Sequence, residues 1–381
     1  GFVSSNPLTR LPPRFEAWER SIDHLPACLC AGVARSHIEA LPILDASSLT
    51  SDAELRRALL VLSTLANAYV WCDTPPATVL PPCVAVPLLS VAADLDMPPI
   101  LTHGSLVLNN FSLLDPTRPP VMDNVKMLVQ FLGGKDEFVF SMLTLELEVA
   151  GSACLPHLWA AQSHAFEFTS GHHAALDDVA ASLHGVAAGV RKMTATMSRM
   201  REGCEPVCFY HRIRPFLSGW KNNPTLPDGL VYAGTNGNQS LQYFGGSAAQ
   251  SSLVPALDAL GVSHDHPASS GFLGAMRGYM PHPHRKFLEV LEARCNVRAA
   301  LSSVAASHPA SAAFNSVVSA LAAFRAVHLS IVRDYILAPQ AAAQAKAGIH
   351  DAAGGKGTGG TSVVDFLEPL RVDTKAAALR A

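Results

Sequence analysis

The stretch from Ala310 to Leu337 contains neither glycine nor proline, and it constrains the fold more than any other segment. Phe314, Val317, Leu321, Phe324, Ile331 and Tyr335 recur at helical spacing. At about 100° per residue they fall on one narrow face. A long helix with one apolar stripe needs other helices to cover it, so a helical bundle is expected. His328 sits in the middle of that stripe. A buried neutral imidazole needs partners for both ring nitrogens. Two readings satisfy this need: a core histidine bonded to a carbonyl, or an axial haem ligand with one nitrogen on iron and an apolar wall for the porphyrin. Arg325, one turn earlier on the edge of the same face, is a candidate to hold a propionate or to pair with a buried carboxylate.

The rest of the chain agrees with a large helical interior. Only 15% of residues are charged and 49% are hydrophobic, against about 25% charged in an average soluble domain. Disordered chains need the opposite balance. A net charge of −3 gives no basic excess for nucleic acid, so no nucleic-acid partner is expected. Sixteen histidines outnumber eight cysteines, which favours imidazole over thiolate if a metal is bound. The cysteines form no C-x-x-C pair and read as reduced core residues of an intracellular protein. The N-terminus shows no basic region followed by an apolar one. The longest uncharged run, Thr74 to Ala93, carries five prolines, which argues against a membrane span. A soluble, cytoplasmic chain with no membrane partner is expected.

Asp52 to Trp71 has helical periodicity. Thr74 to Leu113 is dense in proline and β-branched residues and reads as loops with short strands. Long helices are expected from about Lys135, including Leu176 to Met200, whose Ala, Gly and Ser flanks suit a bundle better than a coiled coil. Residues 340–362 are Ala/Gly-rich and read as a mobile loop, followed by a short helix from Ser362 to Leu370. Between Cys208 and Trp220 lies a compact aromatic and basic segment with Phe209, Tyr210 and Arg214. It reads either as a solvated basic loop or as a binding wall with a fixed cation.

At this point the residues carry a resemblance. His328-Leu-Ser-Ile-Val, with Arg325 before it and Tyr335-Ile-Leu after it, resembles the proximal-histidine helix of the indoleamine 2,3-dioxygenases. Further family signatures stand in the same order: Met97-Pro-Pro-Ile-Leu101, Leu217-Ser-Gly-Trp-Lys221, Leu226-Pro-Asp-Gly-Leu-Val-Tyr232, Gly245-Gly-Ser-Ala248 with Gln250-Ser-Ser252, Met276-Arg-Gly-Tyr-Met280 and Gly357-Thr-Gly-Gly-Thr361. The resemblance covers nearly the whole chain. It implies a mainly α fold, with a smaller, mostly helical N-terminal domain over residues 1–130 capping the distal haem pocket. A large all-helical haem-binding domain over 131–381 would follow, with a mobile loop at about 340–361.

The implied activity is insertion of O2 across the indole C2–C3 bond of L-tryptophan to give N-formylkynurenine, at the head of the kynurenine pathway. The implied cofactor is haem b with ferrous iron. O2 is the co-substrate, an electron donor keeps the iron reduced, and the protein is a monomer. His328 becomes the iron ligand. Arg214 pairs with the substrate carboxylate, Phe209 stacks on the indole and Tyr210 lines the distal pocket. His103, Leu106 and Val107 line its inner part, with Phe140 and Thr144 beside them. Gly246, Ser247 and Ala248 form the loop over the haem plane. Thr358 helps hold the carboxylate, and Asp258 is the acidic partner of Arg325. The family pattern has Phe where Tyr210 stands and Tyr where His103 stands; both departures bear on turnover and selectivity rather than on the haem site. The same fold also admits a haem and O2-binding protein with weak or lost dioxygenase activity. Arg214, Thr358 and Phe209 favour the enzyme, because an oxygen carrier needs no carboxylate clamp.

Other signals were weaker. Gly355-Lys-Gly-Thr-Gly-Gly360 has the glycine spacing of a dinucleotide loop but no preceding strand. His264, His266, His282 and His284 lie in Pro/Gly-rich stretches and read as surface histidines. Glu146 and Glu148, two apart on a helix, do not face each other and do not read as a catalytic pair.

Overall fold

The computed structural model describes residues 1–262, 267–294, 297–346 and 363–379. It is predominantly helical, as expected for a mainly α chain. The N-terminal third contains α1 (Glu16–Cys30), α2 (Ala34–Glu39) and α3 (Asp52–Trp71). A capping box starts α3: the Glu54 amide donates to Ser51 Oγ at 3.2 Å and the Ser51 amide donates back to Glu54 Oε2 at 3.2 Å. Buried Arg57 on α3 grips Glu19 on α1 through two hydrogen bonds of 3.0 and 2.5 Å. That bidentate geometry lets both charges leave water together.

After β1 (Val79–Leu80) comes α4 (Pro82–Asp94), which corrects the loop expected there. Pro82 occupies the first helical position, where no N–H is needed. Pro87 inside the helix costs about 3 kcal/mol, offset by burial of Val84, Leu88 and Val91. A π-helical turn, Gly104–Leu108, leads into β2 (Phe111–Leu113), paired antiparallel with β3 (Val125–Met127).

Beyond residue 134 the chain builds α5 (Lys135–Ser152), α6 (Cys154–Thr169) and α7 (Ala175–Ser198). Short elements follow: α8 (Pro206–Cys208), a π-helical turn (Phe209–Ile213), β4 (Leu230–Tyr232), β5 (Ser240–Leu241) and α9 (Leu253–Asp258). Then come α10 (Pro267–Arg277), α11 (His282–Glu292), α12 (Val297–Leu301) and α13 (Pro309–Val332). The α13 stripe packs on α7, where Val179, Leu183, Val186, Val190 and Met193 are buried opposite Phe314, Val317 and Leu321. The stretches Lys135–Thr169 and Pro309–Lys346 are long and apolar enough to cross a membrane by composition, and half of each apolar window is buried within the protein.

Two apolar cores result among the described residues. One joins α1, α3 and α4 to the segment that carries Phe209, Phe216, Trp220 and Tyr232. The other fills the bundle of α6, α7, α9 and α13. The first is stitched by a small sheet in which β1 runs parallel to β4 and β5 antiparallel to it, with Leu80 opposite Tyr232. Asn67 and Trp71 of α3 donate to the carbonyls of Phe216 and Ser218 at 2.8 and 2.9 Å.

The helix of His328 runs on through Pro339. It widens into a π-helical turn, Arg333–Leu337, and continues as α14 (Ala338–Lys346). Proline cannot donate to the carbonyl four residues back, and the wider turn absorbs the loss. Residues 340–346, expected in a loop, are therefore helical; alanine, glutamine and lysine are good helix formers. The last helix, α15 (Val363–Ala376), runs past the Leu370 end expected for it.

Candidate functional site

Helix α5 is the wall on which the site is assembled. Phe140, Thr144 and Glu148 stand four residues apart, on one face. The ring of Phe140 meets that of Phe209 at 4.5 Å between centroids. Thr144 Oγ1 donates to the Phe140 carbonyl at 2.7 Å, which leaves its oxygen free to accept.

Phe209 and Tyr210 lie on a π-helical turn closed by the Arg214 amide donating to the Phe209 carbonyl. This turn sets Arg214 over Tyr210, with the guanidinium carbon 5.3 Å from the ring centroid. Burial pushes the pKa of Arg214 down, and the Tyr210 phenol opposes that. Phe209 is buried, and Tyr335 presents its edge to it at 6.0 Å. The segment is thus a helical turn rather than a loop, with Phe209 buried, Tyr210 and Arg214 half-buried, and His211 and Arg212 exposed.

Two glycine-containing motifs cross beside it. A Cβ on Gly219 would lie 2.2 Å from the Gly245 nitrogen, and one on Gly245 would lie 2.2 Å from the Leu217 carbonyl oxygen. Only two glycines let the backbones approach this closely. The amides of Trp220 and Lys221 both donate to the Tyr243 carbonyl, at 3.0 and 2.9 Å. The loop then places Gly246, Ser247 and Ala248, and Ser247 Oγ caps the next turn by accepting from the Ala249 amide at 3.2 Å. Gly246 is buried, Ser247 half-buried and Ala248 exposed.

His103, Leu106 and Val107 are buried at the turn 103–108, which packs against α5. His103 Nε2 donates to Glu148 Oε1 at 2.9 Å. The same oxygen accepts from Ser251 Oγ at 2.5 Å. Glu148 does not read as catalytic from its two-residue spacing to Glu146. The informative spacing was the four-residue step from Thr144.

On α13, His328 lies deep in the protein. Desolvation, then the nearby Arg325 charge, push its pKa down to about 4, so the ring is neutral. It makes no hydrogen bond among the described residues. It nevertheless keeps some accessible surface. An imidazole lone pair in a dry, apolar setting is a donor that fits haem iron. Of the two alternatives for Arg325, the carboxylate is realised: it pairs with Asp258 at 2.9 and 3.1 Å. It also donates to the Leu370 carbonyl at 2.7 Å and to the Thr374 hydroxyl.

Tyr335 stands two turns beyond His328 on the same face, about 10 Å along the axis. Through it the His328 helix touches Phe209. Thr358 and the Gly357–Thr361 motif lie outside the described residues, as do His264 and His266. His282 is exposed and paired with Asp96 at 2.9 Å. His284, expected at the surface, is half-buried: its ring lies 4.8 Å from that of Phe2, and burial lowers its pKa to about 4. The His-Pro-His string starts α11, with Pro283 at a tolerated early helical position.

Over residues 1–377 the chain matches the family described as indoleamine 2,3-dioxygenase. It is 35% identical to indoleamine 2,3-dioxygenase 2 of Mus musculus over 387 residues, covering 100% of this chain and 93% of the relative. It is 35% identical to indoleamine 2,3-dioxygenase of Saccharomyces cerevisiae over 419 residues, covering 99% and 91%. A 6-hydroxytryptophan 2,3-dioxygenase of Fusarium equiseti is 34% identical over 388 residues, covering 98% and 94%.

Proposed function

The chain belongs to the indoleamine 2,3-dioxygenase family and is a dioxygenase, and from that premise we propose that it takes L-tryptophan and O2 to N-formylkynurenine on haem b held by His328. The observation that carries the reading is the neutral, deeply placed His328 ring with no hydrogen-bond partner among the described residues. Haem b, when bound, supplies the iron that activates O2.

The rest falls to the chain's own side chains. Arg214 is a desolvated cation, which binds a carboxylate far more strongly than a solvated one does. Phe209 and Phe140 offer flat apolar faces to an indole. With its proton committed to the Phe140 carbonyl, Thr144 accepts from a substrate N–H. Leu106 and Val107 bound the ring apolarly. His103 and Tyr210 are the polar exceptions and set selectivity. Arg325, engaged by Asp258, steadies the His328 helix. By resemblance, Thr358 adds a hydroxyl for the carboxylate. The protein acts as a cytoplasmic monomer and depends on an electron donor to keep the iron ferrous.

The test is direct. Haem-loaded, reduced protein is mixed with L-tryptophan in air and followed for N-formylkynurenine. Product formation is expected. A Soret band without product would overturn the enzyme reading in favour of a haem and O2-binding protein. Because one relative is named for 6-hydroxytryptophan, that compound is the second substrate to assay.

A further inference from the structure

Glu148 is 2% exposed and holds two donors on one oxygen, His103 Nε2 at 2.9 Å and Ser251 Oγ at 2.5 Å. Its other oxygen, Oε2, is buried without a hydrogen-bond partner among the described residues. A carboxylate in that position is costly to keep. Gln250, also buried, completes the connection. Its Oε1 accepts from the His103 amide at 2.9 Å and its Nε2 donates to the Gly245 carbonyl at 2.9 Å.

These contacts close a circuit. Phe140 on α5 meets Phe209; the Phe209 segment runs to Gly219; Gly219 abuts Gly245; the loop runs from Gly245 to Ser251; and Ser251 returns to Glu148 on α5. The turn carrying Leu106 and Val107 hangs on the same carboxylate through His103. We propose that Glu148 is a positioning residue of the dioxygenase reaction, fastening the Gly245–Ser252 loop and the His103–Leu108 turn to α5 so that the pocket keeps its shape for substrate. This rests on the function proposed above. Glu148 need not touch substrate: it acts through Ser251 and His103, and the Ser251 hydroxyl is fixed on both sides because it also accepts from the Leu253 amide at 3.2 Å.

Full-length Glu148→Gln, Glu148→Ala and Ser251→Ala proteins separate this role from general stabilisation. Glutamine keeps an oxygen for both donors, so Glu148→Gln should stay within about twofold of wild type. Glu148→Ala should raise KM for L-tryptophan about tenfold, with kcat changed less than about threefold and the Soret band unmoved. Amide hydrogen exchange should quicken about tenfold over residues 243–252 and 102–108. Ser251→Ala, which cuts only the loop connection, should quicken 243–252 and leave 102–108 as it was. That variant decides the matter if Glu148→Ala does not fold. Wild-type exchange and KM in both Glu148→Ala and Ser251→Ala would overturn the proposal, as would a glutamine variant as impaired as alanine. A wild-type chain that binds haem but makes no product defeats the dioxygenase reading and the catalytic half of this proposal. The exchange pattern still decides the anchoring half.

Discussion

The Tyr335 hydroxyl lies 2.6 Å from the carbonyl oxygen of Cys204, with the Met200 carbonyl at 3.1 Å. The His328 helix is thereby tied to the chain just before the Phe209 segment, and the ring of Tyr335 also packs against Phe209. Tyr335→Phe keeps that packing and removes the donor from the Cys204 carbonyl, while the Met200 carbonyl keeps the Cys204 amide at 3.1 Å. A loss of about 1–3 kcal/mol is expected, read as a lower urea midpoint at unchanged slope. An unchanged midpoint would mean that water replaces the hydroxyl.

The features that could be read from sequence were those with a local period. The His328 stripe and the Asp52–Trp71 helix repeat every turn, so their faces were visible. The α4 helix is hidden because prolines ordinarily break helices, although Pro82 stands where a helix tolerates proline best. Glu148 was hidden for a different reason. Its partners, His103 and Ser251, are 45 and 103 residues away, and no spacing along the chain reports such a contact. His284 shows the same limit. Its neighbourhood looks like a loop, and its contacts with Phe2 and Ser252, both remote along the chain, are reported by no local spacing.

The glycine crossing predicts a sharp contrast within one motif. Gly219→Ala and Gly245→Ala each drive a methyl into backbone, which cannot rotate away. Each should cost about 3 kcal/mol or more and yield little folded protein. At Gly246 the nearest atom to an added methyl is the Leu101 carbonyl oxygen at 3.5 Å, an ordinary contact. Gly246→Ala should stay within about 1 kcal/mol of wild type. Thermal melts of the three variants would check this, and equal losses would count against the crossing.

His328→Ala removes the imidazole proposed to hold haem. The purified variant should lose the Soret band and the turnover together, while its far-ultraviolet circular dichroism stays helical. Normal haem uptake by this variant would place the ligand elsewhere.

Arg214→Ala tests the carboxylate clamp. Removing this half-buried cation from its proposed pair with the carboxylate should lower kcat/KM for L-tryptophan about a hundredfold. Tryptamine, which lacks the carboxylate, should lose less than about threefold. Equal losses on both substrates would mean that Arg214 supports the pocket rather than the carboxylate.

His284 and His328 make the apoprotein acid-sensitive. Burial holds the folded-state pKa of each near about 4, below the roughly 6.5 of a free histidine. Between those values the unfolded chain binds more protons than the folded one. Stability is therefore full above about pH 6.5 and falls as the pH drops toward about 4. A shift of this size corresponds to at most roughly 3 kcal/mol for each ring. His284→Gln keeps an amide for the Ser252 hydroxyl that now lies 3.4 Å from His284 Nδ1, and it cannot titrate. Urea unfolding of apoprotein from pH 7 to pH 4.5 should show a shallower loss in this variant than in wild type, by about half. Parallel curves would mean that His284 is already protonated in the folded state.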